Sequence, residues 1–370
     1  MKKEFSLYLD LMRFLAACLV VINHSNHRGI ITEPLPQLGH SAVMIFFILS
    51  GFVIAYVSST KEITLKKYSV SRIARIYSVV PIALVVTLMS DFIGEMLNPD
   101  FYSANSTYDY AVVRFLSSMF FLNEIWTISI TTYSNVPFWS LNYEVWYYIL
   151  FGITLFLTGK TKIIVLIFVC LLLGPKVILL APIWWMGVYL YRSRFFNSLG
   201  ESAGWLLFVL SLVLVVLFHY FDIRDLLGRQ WLQSLIGSDN YRELAYSKSF
   251  LSDYLLAIIV FCNFAGFKAI SHRFSSVLLP IASPIQYVAS FTFILYLTHQ
   301  PLIWLFKTII NGDPSAPFFL ISIWASVLCT VWLLGQVTEQ RKSMYRGWSE
   351  TVFDRVVDIK LFFRKDHKCD

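Results

Sequence analysis

The chain contains 370 residues, of which 57% are hydrophobic and 14% are charged, with a formal net charge of +7. Soluble domains carry roughly a quarter charged residues, and the hydrophobic segments recur along nearly the whole chain, so we expect a polytopic membrane protein with no appended globular module. The five scattered cysteines have neither disulfide nor metal-ligand spacing, and the cations fall between apolar segments, so we expect no metal and no nucleic-acid partner.

The apolar segments predict an all-α membrane bundle of about ten transmembrane helices. We place them at 8–26, 40–59, 76–95, 138–157, 162–176, 178–191, 204–220, 250–267, 286–306 and 317–338. Most of the cations between spans then lie on the side of the N-terminus, and the positive-inside rule predicts that both termini are cytoplasmic. We expect a transmembrane domain at 1–340 and a basic tail at 341–370 that lies on anionic membrane lipid.

The first span carries three ionisable residues, Asp10, Arg13 and His24. At about 100° per residue, Arg13 and His24 lie on one helix face about 16 Å apart, with Asp10 one turn below Arg13. An ionisable group in a bilayer costs on the order of 3 kcal/mol, so this stripe indicates a polar interior site. The alternative is a purely structural Asp10–Arg13 pair with His24 in water at the helix end.

The second span contains a small-residue step, Ser50-Gly51, within an aromatic segment. Such a step permits close approach of another helix or a ligand path, and helix packing is the default interpretation.

A cationic segment with Lys67, Arg72 and Arg75 precedes the third span. Two arginines at i and i+3 present their forks on one helical face, which suits phosphate groups. The positive-inside bias alone accounts for Lys67.

The segment 110–122 is apolar but short and carries Arg114. If it crossed the membrane, the basic tail would lie outside, so we interpret it as an interfacial or re-entrant helix. The loops 97–136 and 221–249 are then the large external ones and can meet an external acceptor.

The fourth span opens with Trp139, Ser140 and Glu144 at a depth similar to that of His24. A carboxylate that pairs with an imidazole raises its basicity, as a general base requires. The alternative is that Glu144 faces external water near its helix start. His299, in the outer half of the ninth span, would be either a second functional histidine or a packing residue.

Five motifs in chain order resemble the acyltransferase 3 family, and together they cover essentially the whole sequence. They are Asp10-x-x-Arg13 with Arg13-x10-His24, Phe46-Phe47-Ile-Leu-Ser50-Gly51-Phe52, Arg72-x-x-Arg75-Ile-Tyr, Trp139-Ser140-Leu-x-x-Glu144, and Tyr296-Leu-x-His299-x-Pro301. The resemblance implies a multi-pass enzyme of the inner (plasma) membrane that O-acylates extracytoplasmic glycans such as O-antigen, exopolysaccharide or peptidoglycan. Cytoplasmic acyl-CoA, usually acetyl-CoA, would be the donor.

The resemblance, together with the cationic segment that contains Lys67, gives a set of expected site residues. The expected catalytic residues are Asp10, Arg13, His24 and Glu144; the CoA-binding residues are Lys67, Arg72 and Arg75; and the substrate-binding residues are Trp139, Ser140, Tyr296 and His299. His24 would deprotonate a sugar hydroxyl that attacks the thioester, or would first carry the acetyl group itself. The sequence departs from the family pattern at Ser78, where a proline is common, and just before Tyr296.

The alternative function is a proton-coupled secondary transporter, which would also place ionisable residues inside a helix bundle. The sequence lacks the repeated halves and matched broken helices that are typical of such carriers.

Overall fold

The computed structural model describes residues 1–27, 30–31, 38–310, 312–314 and 316–366, and these ranges contain no β-strand. The α-helices in chain order are α1 Lys3–His27, α2 Gly39–Thr60, α3 Leu65–Tyr77, α4 Val80–Leu97, α5 Pro99–Asn105, α6 Ala111–Met119, α7 Phe138–Phe156, α8 Gly159–Leu173, α9 Pro175–Arg192, α10 Arg194–Asn197, α11 Glu201–Tyr220, α12 Ile223–Asp225, α13 Gln233–Ile236, α14 Ser238–Glu243, α15 Phe250–Ile270, α16 Ser275–Leu278, α17 Ala282–Ala289, α18 Thr292–Ile309, α19 Pro317–Val337 and α20 Lys342–Asp366. A π-helix at Leu226–Leu232 and short 3-10 helices at Ala245–Ser247, Ser271–Phe274 and Glu339–Arg341 complete the helical elements.

The all-α membrane fold is confirmed. Among the described residues, six helical segments are long and apolar enough to cross a membrane: Lys3–Asn26, Gly39–Thr60, Leu65–Leu97, Glu201–Tyr220, Phe250–Leu278 and Pro317–Arg355. The pair α17 and α18, bent by 50°, would be a seventh. The helices α7, α8 and α9 occupy the region of three further predicted spans, while the count of ten and the cytoplasmic termini stay predictions.

Two predicted span boundaries shift, each at a residue that interrupts a helix. The third span was expected from residue 76, but α3 ends at Tyr77 and α4 begins at Val80 with a proline in its first turn. The fifth and sixth spans divide at Gly174 rather than near 177. Gly174 has φ +74°, and a Cβ there would lie 2.8 Å from the Cα of Trp126, so the position requires glycine.

The short apolar segment around Arg114 forms α6, which has nine residues. A helix of that length is about 14 Å long, roughly half the hydrocarbon thickness, so α6 is too short to span. Its residues Val112 and Leu116 are exposed on the protein surface, as the interfacial interpretation requires.

The Ser50-Gly51 step brings two helices into close contact, as its packing interpretation predicts. α2 packs against α9, and a Cβ on Gly51 would lie 2.0 Å from the carbonyl oxygen of Trp184. A Cβ on Gly187 of α9 would likewise lie 2.0 Å from the carbonyl oxygen of Ile48. The two backbones therefore touch, and this contact fixes α2, which lines the cavities described below.

The connection between α6 and α7 is held by a buried ion pair. Lys176 Nζ donates to Glu124 Oε2 at 3.0 Å and to the carbonyl oxygen of Ile128 at 2.5 Å, and both charged side chains are 1% exposed. Ser129 Oγ donates to the other carboxylate oxygen of Glu124 at 2.6 Å. These contacts fix the loop that leads into Pro137 and the start of α7.

Candidate functional site

Two cavities adjoin inside the bundle. The first, which we call the Arg13 cavity, has a volume of about 50 Å³ and is lined by Arg13, Arg75 and Glu144. The second, the His24 cavity, has a volume of about 220 Å³ and contains His24. Val43 and Tyr296 line both cavities, so the two spaces lie on either side of these two side chains.

The Arg13 cavity combines two arginines with one carboxylate. Arg13 forms an ion pair with Asp10 at 3.0 Å. Arg75 lies with its guanidinium 5.9 Å from the ring centroid of Phe293. Because both arginines face the same small space, they present fixed positive charge to any group that enters it. The Asp10–Arg13 pair is therefore present, and its arginine also faces a cavity.

Glu144 belongs to the Arg13 cavity. Its Oε1 accepts a hydrogen bond from Ser50 Oγ at 2.5 Å and another from the hydroxyl of Tyr148. Trp184 Nε1 in turn donates to Ser50 Oγ at 3.2 Å. The carboxylate expected to pair with His24 is thus fixed beside Arg13 and Arg75.

The three residues expected to contact CoA phosphates are separated. Arg75 lines the Arg13 cavity, whereas Arg72 is bonded to both carboxylate oxygens of Glu62, at 2.7 and 2.8 Å, and is 8% exposed. Lys67 is exposed in the first turn of α3. The i, i+3 spacing therefore does not give one shared phosphate fork, because Glu62 already occupies Arg72.

Two histidines lie side by side at the His24 cavity: His24 lines it, and His299 is buried behind His24 and does not line it. The ring centroids of His24 and His299 are 5.1 Å apart. Nδ1 of His299 lies 2.8 Å from the carbonyl oxygen of Tyr296 and 3.1 Å from that of Leu295. A carbonyl only accepts, so Nδ1 carries the proton and the neutral ring keeps a lone pair on Nε2. Within the described part of the chain, this buried Nε2 has no hydrogen-bond partner.

The motifs around Ser140 and Tyr296 meet directly. The hydroxyl of Tyr296 lies 2.6 Å from Ser140 Oγ and donates to the carbonyl oxygen of Pro137 at 3.2 Å. Trp139 stacks on Tyr246 with a centroid distance of 4.6 Å and an interplanar angle of 2°. The loop 221–249, predicted to be an external acceptor loop, supplies Tyr246 and Arg224 to the lining of the His24 cavity.

Sequence analysis missed a histidine–carboxylate pair of which His40 lines the His24 cavity. His40 Nε2 lies 2.9 Å from Asp253 Oδ2, and these side chains are 10% and 2% exposed. The His40 ring also stacks on Trp139 at 5.8 Å. The available signal was the position of His40 and Asp253 in the first turn of two predicted spans, where an ionisable residue needs a partner.

A family model described as an acyltransferase domain, that of the acyltransferase 3 family, matches residues 6–335. The match covers nearly the whole chain, so the chain belongs to this family and is a membrane acyltransferase. Neither curated proteins nor solved structures give a match to this sequence. Within the described residues, no group of three or more His, Cys, Asp or Glu side chains is arranged to hold a metal ion.

Proposed function

We propose that this acyltransferase moves an acetyl group from cytoplasmic acetyl-CoA to a hydroxyl of an extracytoplasmic glycan, in the inner (plasma) membrane. The observation that carries the proposal is the adjacency of the two cavities at Val43 and Tyr296. One cavity offers fixed positive charge and the other offers histidines and an aromatic stack. A donor and an acceptor entering from opposite sides would therefore meet near Tyr296.

The Arg13 cavity suits the reacting end of the donor. The cavity is small, about 50 Å³, so only the acetyl thioester end of CoA would enter it. Arg13 and Arg75 would stabilise the negative charge that develops on the thioester oxygen during attack. Arg72 can reach a CoA phosphate only by giving up Glu62, so Lys67 is the first expected phosphate contact at the surface.

The His24 cavity suits the acceptor. A sugar ring would lie against the face of the Trp139–Tyr246 stack, and His24 would take the proton of its hydroxyl. The resulting alkoxide would attack the thioester carbon, and the CoA thiolate would leave. The alternative route places the acetyl group first on His24 and would give ping-pong kinetics. His40, held by Asp253, would fix the Trp139 side of the cavity.

The test compares label transfer from radiolabelled acetyl-CoA to host glycan in membranes that contain wild type, His24→Gln or His272→Gln. His272 is 46% exposed and forms an ion pair with Glu201, so it is the matched control. We expect transfer with wild type and His272→Gln, and roughly 10²- to 10⁴-fold less with His24→Gln. Full transfer by His24→Gln would contradict the role of His24, and no transfer by wild type would contradict the proposed donor or acceptor.

A further inference from the structure

A second charged cavity lies at the end of the bundle where the chain begins, away from the site described above. It has a volume of about 490 Å³, and we call it the N-terminal pocket. Its cationic lining residues are Lys2, Arg192 and Lys268, and its aromatic lining residues include Phe5, Phe52 and Phe196. The segment before α1, helix α9 and helix α15 each bring one positive charge to the same pocket, which also has aromatic walls.

Glu4 interacts electrostatically with Lys2, but no described carboxylate lies within ion-pair distance of the cations of the N-terminal pocket. Over the residues that the structure describes, Lys2, Arg192 and Lys268 form no ion pair. Lys268 donates to the amide oxygen of Asn197, and its Nζ lies 5.4 Å from the ring centroid of Phe52. A pocket of this charge is stabilised by a multiply accepting anion.

We propose that the N-terminal pocket binds a phosphate group. Lysine and arginine side chains donate to phosphate oxygens, while the aromatic walls accept the apolar or planar part of the same ligand. Two ligands that combine a phosphate with an apolar or planar part are an anionic phospholipid and the nucleotide end of CoA.

The position of the pocket favours the lipid. Phe5 and Phe52 line the N-terminal pocket, whereas Arg13, Val53 and Ile54 line the Arg13 cavity. The pocket is thus lined by α1, α2, α9, α10 and α15, and the Arg13 cavity by α1, α2, α3, α7 and α18. Since α1 packs against α2, a CoA held in the pocket would have to pass its arm between these helices. An anionic headgroup meets no such obstacle.

The experiment measures binding of phosphatidylglycerol, phosphatidylcholine and CoA to the purified full-length chain. The test variant is Arg192→Gln with Lys268→Gln. The matched control, Lys160→Gln with Arg194→Gln, removes two exposed cations that lie outside the pocket. We expect the test variant to bind phosphatidylglycerol roughly 10- to 30-fold more weakly than the control, since each cation near an anionic headgroup contributes about fivefold. Phosphatidylcholine binding should be equal in the two variants.

Two other outcomes would decide which molecule supplies the phosphate and whether the site exists. A selective loss of CoA binding would keep the phosphate site but assign it to the nucleotide. Equal binding of every probe by the test and control variants would overturn the proposal. Lys2→Glu provides a second variant, because Lys2 is exposed at the chain terminus and a change there leaves the packed helices intact. This variant should weaken the binding of the same probe. Unchanged binding by well-folded Lys2→Glu protein would also count against the site.

Discussion

Replacing Lys176 by methionine tests whether the buried ion pair holds the loop that leads to the His24 cavity. The variant removes the partner of Glu124 at 3.0 Å, and both side chains are 1% exposed. Removing one member of a buried pair leaves an uncompensated charge and costs about 3–5 kcal/mol. Ser129 would remain the only described side chain that donates to the Glu124 carboxylate. We therefore expect a large loss of unfolding free energy.

The pH dependence of this loss follows from the carboxyl group. Burial raises the pKa of Glu124, and the charge of Lys176 opposes that rise. Without Lys176 the native-state pKa rises further, whereas the unfolded-state value is unchanged. When the native-state pKa of an acid is raised, the free energy of unfolding falls as the pH rises above the unfolded-state pKa. The difference in unfolding free energy between variant and wild type should therefore grow from about pH 5 to about pH 8.

The assay is equilibrium unfolding in detergent, with Arg229→Met as the control. Arg229 forms an ion pair with Asp225 at 3.0 Å but is 71% exposed, so no measurable change is expected. Adding Glu124→Gln to Lys176→Met removes the uncompensated charge and should restore part of the stability. If Lys176→Met unfolds like the control at both pH values, the ion pair does not hold the loop.

Three further substitutions test the packing and the site. Gly51→Ala puts a Cβ 2.0 Å from the carbonyl oxygen of Trp184 and should cost about 1–3 kcal/mol of unfolding free energy. An added Cβ on Gly200, the N-cap of α11, meets no neighbouring atom within 4 Å, so Gly200→Ala should cost only the capping preference, less than about 1 kcal/mol. Equal effects would contradict the close helix contact. Tyr296→Phe removes the hydroxyl that bonds Ser140 at 2.6 Å and should cost about 1–3 kcal/mol, and an unfolding midpoint like that of wild type would refute the contact. Asp253→Asn should lower acetyl transfer by about tenfold or more without changing the KM for acetyl-CoA, because Asp253 acts on the acceptor side. A raised KM for acetyl-CoA with unchanged kcat would place Asp253 on the donor side instead.

Some of the site was predictable because the residues lie on one helix or in one motif. The face shared by Asp10 and Arg13 follows from helical geometry, and the structure has their ion pair at 3.0 Å. The contact between Ser140 and Tyr296 joins two motifs that are 156 residues apart, and the family resemblance grouped them without showing which atoms meet.

Other features depend on tertiary packing that no local pattern contains. The pairing of Arg72 with Glu62 depends on the turn between α2 and α3, and the spacing of the arginines alone suggested a phosphate fork. The contact of His40 with Asp253 spans 213 residues, and neither residue lies in a recognised motif. Glu144 lies seven residues into α7, and only the neighbouring helices decide that it bonds Ser50 of α2.

If the acetyl group crosses between the two cavities, acetyl-CoA and the acetylated glycan lie on opposite sides of the membrane. Sealed inverted membrane vesicles would receive radiolabelled acetyl-CoA from outside, with the glycan acceptor enclosed in the lumen. We expect labelled lumenal glycan with wild type and unlabelled glycan with His24→Gln, while CoA stays outside. Labelled glycan only on the same side as acetyl-CoA would contradict transfer through the bundle.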